Sequence, residues 1–412
     1  LFKGGFTLKV RNMVLFLSNG HGEDLIATMI AREVIAEGES LNIAGFPLVG
    51  LGKAYTGAGI PVVGTQKAMP SGGFLRHGLS YVLKDIKAGL ISLTLQQIEH
   101  LKSLGKNVSL LVSVGDIFPL FLGGRNVKAP MLFLSTAKSE YIQGHLGIEC
   151  RLMRKYAGLV LARDERTAKA LQQRGVPARC AGNVMMDGFA ITGESFGLNL
   201  KKRVVGILPG SREEAYRNMK TLLQAVSHLT DFSGDNLDYV VGLAPNLDED
   251  RLEQVVQEAG WRYERQDPEE KKRGVTARIY PGSGGMTPCV TVSQGWFGDV
   301  LNISDIVIGL SGTGNEQAAG LGRPVVTFPT EGPQFSLKFA KAQKRLLGDA
   351  VAFVESDDMK DVASEVMSIL GDPVRIERMR EAGYERMGEQ GAAKRIAKII
   401  IDFIETGSWE GR

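Results

Sequence analysis

Aliphatic runs too short to be helices alternate along most of the chain with longer segments of helical spacing. VLFLS (14–18), LNIAGF (41–46), VSLLVSV (108–114), MLFLS (131–135) and GLVLAR (158–163) occupy the first half. VVGIL (204–208), DYVVGLA (238–244), CVTVS (289–293), DIVIGL (305–310) and PVVTFP (324–329) occupy the second. Strands that stay apolar position after position are buried on both faces. Between them DLIATMIAREVIAEG, DERTAKALQQRG and EDRLEQVVQEAG repeat apolar residues at i, i+3 and i+4 and stop at glycine. The pattern predicts an α/β fold of doubly wound parallel sheets. A chain of 412 residues exceeds one ordinary core, and two domains of about 200 residues are expected. The polar, glycine-containing ITGESFGLNLKK (191–202) is the expected boundary. It leaves a first domain over 1–190 and a second from 203. Two such sheets facing a cleft would bind ligand at the carboxyl ends of their strands.

Four strand ends carry candidate chemistry. In GILPGSREEA (206–215) an aliphatic strand runs into Gly210, Ser211 and Arg212, and a helix-prone stretch follows. First-turn amides lack internal partners, and the helix dipole favours an anion there. Ser211 can cap that helix and Arg212 can fork onto phosphate oxygens; a plain cap with a solvated arginine is the bland alternative. In DIVIGLSGTGNEQAAGLGRP (305–324) the loop Ser311-Gly312-Thr313-Gly314-Asn315 repeats the design, with Glu316 and Gln317 in the first turn placed for ribose hydroxyls. The alternative is a generic capped loop. In VLFLSNGHGEDL (14–25) His21 lies between Gly20 and Gly22, ahead of Glu23 and Asp24. The imidazole suits a base or a hydrogen-bond donor, while the two acids suit first-turn positions equally well. In LVSVGDIFPL (111–120) Asp116 follows a strand among Ile117, Phe118 and Pro119, surroundings that would suit a general base. An N-cap role is the equal alternative.

Composition narrows the class. A net charge of +3 does not imply nucleic acid, and a pI near 8.6 is compatible with an anionic ligand or membrane surface. Cys150, Cys180 and Cys289 are far apart, with no CxxC, as in a cytosolic chain without disulfide framework or zinc site. The first twenty residues lack a signal peptide's apolar region, and no run approaches the ~18 apolar residues of a spanning helix. GxSxG, HExxH and GxxxxGK[ST] are absent. The charged, glycine-rich 266–286 reads as an exposed loop or insertion. The stretch 73–101 interleaves many apolar residues with Arg76, Lys84 and Lys87, either as a lipid-facing surface or as a helix covering the sheet.

ILPGSREE resembles the LLPGSRxxE signature of the lipid-A-disaccharide synthases, and further segments follow in the same order. SNGHGED is similar to the family's N-terminal glycine loop, and SVGDIFPL to its APDFN segment with Asp116 at the aspartate. CAGNVMMDGF is similar to VGHPLxD, with Asn183 where the family has His. LSGTGNEQAAGLGRP is similar to SGTxxxEAAxxGxP, with Gln317 at the family's Glu and Glu316 one place earlier. MGEQGAAKRIAKIIIDFI resembles the closing helix of two-Rossmann glycosyltransferases, so 386–412 is expected to follow a donor domain over 203–385 and to pack back on the first domain. The resemblance implies a GT-B glycosyltransferase: an acceptor-binding N-terminal half, a nucleotide-sugar donor, UDP-linked, in the C-terminal half, and a lipid acceptor at the membrane surface. It also implies a cytoplasmic location, peripheral on the inner face, with no cofactor, metal or nucleic acid. Carried over, Arg212 would meet the donor diphosphate, Gly210, Ser211 and 311–317 would line the donor site, and Asp116 or His21 would be the acceptor base. Gly20, Gly22, Glu23, Asp24 and Asn183 would form the acceptor side. A UDP-N-acetylglucosamine 2-epimerase, whose SGGxQEEAPxLGxP loop is similar to 311–324, and a non-catalytic nucleotide-sugar binder are the rival readings.

Overall fold

The computed structural model describes residues 13–37, 41–67, 90–332 and 335–409, and the side chains of His21, Leu90 and Ile91 lie outside that description. The chain divides into two compact units, 1–188 with 390–412, and 189–389.

The first unit runs β1 (Met13–Ser18), α1 (His21–Glu37), β2 (Asn42–Pro47), α2 (Lys53–Gly57), α3 (Leu90–Leu104), β3 (Val108–Gly115), α4 (Ile117–Asn126), β4 (Met131–Ser135), α5 (Gly147–Tyr156), β5 (Leu159–Ala162), α6 (Glu165–Gln173) and β6 (Ala178–Cys180). Its six strands are parallel in the order β2-β1-β3-β4-β5-β6. Alternate residues of each strand feed opposite cores, which explains the unbroken aliphatic runs. Val14, Phe16, Leu110, Val112, Leu132 and Leu134 meet Ile26, Ile30 and Val34 of α1. Leu15, Leu17, Leu111, Met131 and Phe133 meet Leu101, Leu120 and Met153 on the other face. Of the apolar stretch 73–101, residues through 89 lie outside the described part; the rest belongs to α3, where Leu93 and Leu101 are buried.

The second unit runs β7 (Arg203–Leu208), α7 (Glu214–Ser233), β8 (Leu237–Leu243), α8 (Glu249–Glu258), β9 (Trp261–Arg265), α9 (Pro268–Lys272), β10 (Val275–Pro281), β11 (Val290–Gln294), α10 (Phe297–Ile303), β12 (Ile306–Gly309), α11 (Gly312–Gly320), β13 (Val325–Thr327), α12 (Leu337–Leu347), β14 (Val351–Phe353), α13 (Met359–Leu370) and α14 (Pro373–Met387). The order is β14-β13-β12-β7-β8-β11-β10-β9. This sheet is mixed, because β10 pairs antiparallel with both β9 and β11. The segment 266–286 is therefore not a loop: it contains α9 and β10, whose Val275, Ala277 and Ile279 point inward while Thr276 and Arg278 stay half-exposed. The expected boundary 191–202 is also built into this unit. Buried Asp299 accepts the N–H groups of Thr192, Gly193 and Glu194, at 2.8, 2.7 and 3.2 Å. Phe196 packs with Val204, Val240, Val275 and Val300.

The last helix, α15 (Ala392–Thr406), belongs to the first unit and buries Ile396, Ile400 and Phe403 in the core beneath α1. Asp187 anchors its start through the amides of Gly391 and Ala393. Trp409 stacks on Phe403 with ring centres 3.8 Å apart.

Candidate functional site

In each sheet the chain reverses its direction of growth beside the first strand. β7 lies between β8 and β12 in the second unit, and β1 between β2 and β3 in the first. Such reversals open a crevice at the carboxyl ends of the two central strands, because the following segments diverge to opposite faces.

In the second unit the crevice is bounded by 209–213 after β7 and 310–314 after β12. The Leu310 N–H donates to the Leu208 carbonyl at 2.8 Å. Gly210 has φ 107 and approaches the Leu310 carbonyl so closely that an added Cβ would lie 3.2 Å from it. Only glycine fits that combination. Three side-chain amides tie these loops back. Asn218 of α7 donates to the Pro209 carbonyl at 2.9 Å, and Asn246 to the Ser211 carbonyl at 2.8 Å. Gln343 of α12 donates to the carbonyls of Ser311 and Gly312, at 3.2 and 2.9 Å. In a trans peptide the C=O and the next N–H point in opposite directions. The N–H groups of Gly210, Arg212, Gly312 and Thr313 are therefore turned away from those amides, and none donates within the described hydrogen bonds. These four N–H groups lie on two neighbouring strand ends, one pair at the start of α11, where backbone N–H groups favour an anion.

The predicted residues take distinct parts here. Arg212 is exposed, and none of the described hydrogen bonds or ion pairs uses its guanidinium. Its neighbour Glu213 is instead held by Arg251, which stacks over Tyr216 at 4.2 Å. Ser211 does not cap the helix: α7 starts at Glu214, because the turn set by Gly210 carries Ser211 outside the helical path. Ser311 does cap α11, accepting the Gly314 N–H at 3.2 Å. Asn315 is fully buried and supports the loop from beneath, donating to the Gly309 carbonyl at 2.9 Å and to Gln343 at 2.8 Å. It therefore acts behind the loop and not as a surface contact. Gly309 leaves room for it, since a Cβ there would lie 1.8 Å from Asn315 Oδ1. Thr313 is exposed, Gly312 and Glu316 half-exposed, and Gly314 and Gln317 buried.

In the first unit the loops after β1 and β3 meet through Asn19, which donates to Asp116 Oδ2 at 3.3 Å. Asp116 Oδ1 accepts the Phe118 N–H at 2.8 Å and caps α4. The apolar neighbours do not enclose this carboxylate, because Phe118 is turned out to solvent. Glu23 is half-buried near Gly115, while Gly22 faces open space. Asp24 is turned inward, taking the Ser18 hydroxyl at 2.6 Å, and Ser18 meets the Tyr55 hydroxyl at 2.7 Å. That buried chain makes Asp24 part of the core beneath the loop that begins at Gly20. His21 opens α1, and its side chain lies outside the described part. Asn183 follows the edge strand β6, where it caps a short 3-10 turn by accepting the Met185 N–H at 3.2 Å. Asn218, Asn246 and Gln343 went unnoticed in the sequence; mid-helix Asn218, a poor helix former, was the one signal available.

No protein-family model matches the chain. A curated lipid-A-disaccharide synthase from Trichlorobacter lovleyi is 26% identical over 255 residues, 57% of this chain and 59% of that protein. One from Geobacter sulfurreducens matches with the same identity and the same shares. The chain is a divergent relative of the lipid-A-disaccharide synthases. It spans about three-fifths of the length of the relatives it matches, 59% in both cases. Among solved structures, the calicheamicin glycosyltransferase CalG4 aligns with a TM-score of 0.58 at 15% identity, covering 96% of this chain and 99% of that one. Acinetobacter baumannii MurG aligns at 0.57 and 12%, covering 95% and 99%. A UDP-N-acetylglucosamine 2-epimerase aligns at 0.57 and 13%, covering 98% of each chain. The fold is thus that of GT-B glycosyltransferases and of this epimerase, and fold likeness does not separate those activities.

Proposed function

We propose that this relative of the lipid-A-disaccharide synthases is a glycosyltransferase that moves a sugar from a UDP-linked donor to a lipid or glycolipid acceptor, without a metal and with inversion. The cradle of outward N–H groups around Gly210, Arg212, Gly312 and Thr313 carries the reading. It suits a diphosphate, and the fixed charge of Arg212 lies on the same strand end. The acceptor oxygen attacks the anomeric carbon and gives its proton to Asp116 or His21. The bond from that carbon to the diphosphate oxygen breaks, and its electron pair leaves with the nucleoside diphosphate. Negative charge growing on that oxygen meets donors already fixed in place. One such donor is typically worth about 3–4 kcal/mol at the transition state. Glu316 and Gln317 would receive ribose hydroxyls, and the acceptor would engage the first unit. Among the described residues no helix is long and apolar enough to cross a membrane; a lipid acceptor would then be met from the membrane surface, on the cytoplasmic face.

The test is sugar transfer from UDP-N-acetylglucosamine to an acylated glucosamine acceptor, with EDTA present. Transfer that survives EDTA and yields the opposite anomer supports the proposal. Epimerisation of free donor without acceptor would favour the epimerase reading, whose loop matches Glu316-Gln317. Donor binding with no turnover on any acceptor would leave a binder.

A further inference from the structure

β9 (Trp261–Arg265) closes one end of the second unit's sheet. Its inner side pairs with β10, antiparallel, with Tyr263 opposite Ile279. The Gln266 N–H donates to the Thr276 carbonyl at 2.9 Å, and the Gly282 N–H to the Gly260 carbonyl at 3.0 Å. These two bonds fix the alternation of the ladder between them. Gly260, Arg262, Glu264 and Gln266 bond inward, so Trp261, Tyr263 and Arg265 turn their N–H and C=O groups outward. None of those outward groups has a partner among the described hydrogen bonds, and no described strand pairs with that side. An open edge of this kind is a template for another strand.

The side chains of WRYER (261–265) select the strand that fits. Laid antiparallel on itself about Tyr263, the segment sets Arg262 opposite Glu264 of a second copy, and Glu264 opposite that copy's Arg262. Tyr263 then meets Tyr263, and Trp261 meets Arg265, at positions where both strands point their backbone groups at each other. Arg262 and Glu264 fall at the non-hydrogen-bonded sites, where facing side chains come closest. Both are half-exposed and already attract one another along the strand, at 2.8 Å. A slip of one residue would set outward amides against inward ones. A slip of two in either direction would set Arg262 against Arg262 or Glu264 against Glu264. A parallel match would do both. Charges that ordinarily guard an edge here admit one register.

We propose that β9 pairs with β9 of a second copy of this chain, joining two sheets into one across a two-fold axis. The pairing does not depend on the glycosyltransferase reading. Sedimentation velocity of the full chain should show a dimer at about 100 µM that dissociates on dilution, as for an interface at the small end of the size range. Hydrogen exchange at the Trp261, Tyr263 and Arg265 amides should slow at the dimeric concentration. Arg262→Glu and Glu264→Arg each set like charges opposite one another, and each should be monomeric with the parent's circular dichroism. Mixed in equal amounts, the two variants should dimerise again, because each then offers the charges the other lacks. Loss of the ion pair within one strand would not be rescued by mixing. A parent that stays monomeric, single variants that still dimerise, a mixture that stays monomeric, or a dimer whose three outward amides exchange freely would overturn the proposal. If a single variant fails to fold, exchange at those three amides in the parent decides.

Discussion

Arg212 and His145 show how differently a single side chain can be committed by its surroundings. Arg212 stands exposed at the end of β7 while the adjacent Glu213 is already engaged by Arg251. A carboxylate on Arg212 would have to be displaced before a phosphate could bind; among the described hydrogen bonds and ion pairs none holds it. Arg212→Ala should therefore lower kcat/KM on the order of 10²-fold with donor, read by initial rates, and unchanged rates would remove the role. His145 is committed by burial. Its folded-state pKa is depressed, so the unfolded chain binds the proton more readily. Its contribution to stability is present above the unfolded pKa of about 6.5 and is lost as pH falls through the lower folded value. Urea melts should show stability declining between about pH 7 and pH 5, with a shallower decline in His145→Gln. Equal slopes would mean that His145 does not carry the penalty. Asp24 illustrates why some residues stayed illegible: a first-turn carboxylate reads alike whether it faces a ligand or, as here, takes a buried Ser18 hydroxyl.

Strands buried on both faces were legible because nothing but an aliphatic run survives there. β10 was not, because this strand next to the sheet edge is half-covered, places Arg278 and Thr276 among its inward residues and so resembles a charged loop. The amide clips were hidden for another reason. Gln343 holds a loop about thirty residues away, a relation fixed by packing of α12 and not by local spacing. Gln343→Leu removes its bonds to Ser311, Gly312 and Asn315. It should destabilise the fold by roughly 1–3 kcal/mol for each buried group left unmatched and weaken UDP binding, both followed in the same calorimetric titration and melt. A loss of stability with intact UDP affinity would show that the clip does not orient the cradle. In α15, Ile400 is fully buried beneath α1. Ile400→Ala should cost about 2–5 kcal/mol in urea unfolding, and a cost near zero would mean that the helix is not part of that core.

Taken as a whole, the chain repeats one device twice: a doubly wound sheet with loops gathered where its order reverses. The sequence made both sheets readable, and motif resemblance pointed to the loops. What it could not supply was the direction in which backbone N–H groups point, since that depends on Asn218, Asn246 and Gln343 pulling carbonyls the other way. The central claim is that this arrangement grips a sugar nucleotide's diphosphate. Calorimetric titration of UDP and uridine into the parent protein and Arg212→Ala tests it most directly. The account predicts that UDP binds the parent, that Arg212→Ala loses about tenfold or more, as for a charge-assisted bond, and that any weak uridine binding is unchanged. UDP binding equally to both proteins, or no nucleoside diphosphate binding to the parent, would contradict it.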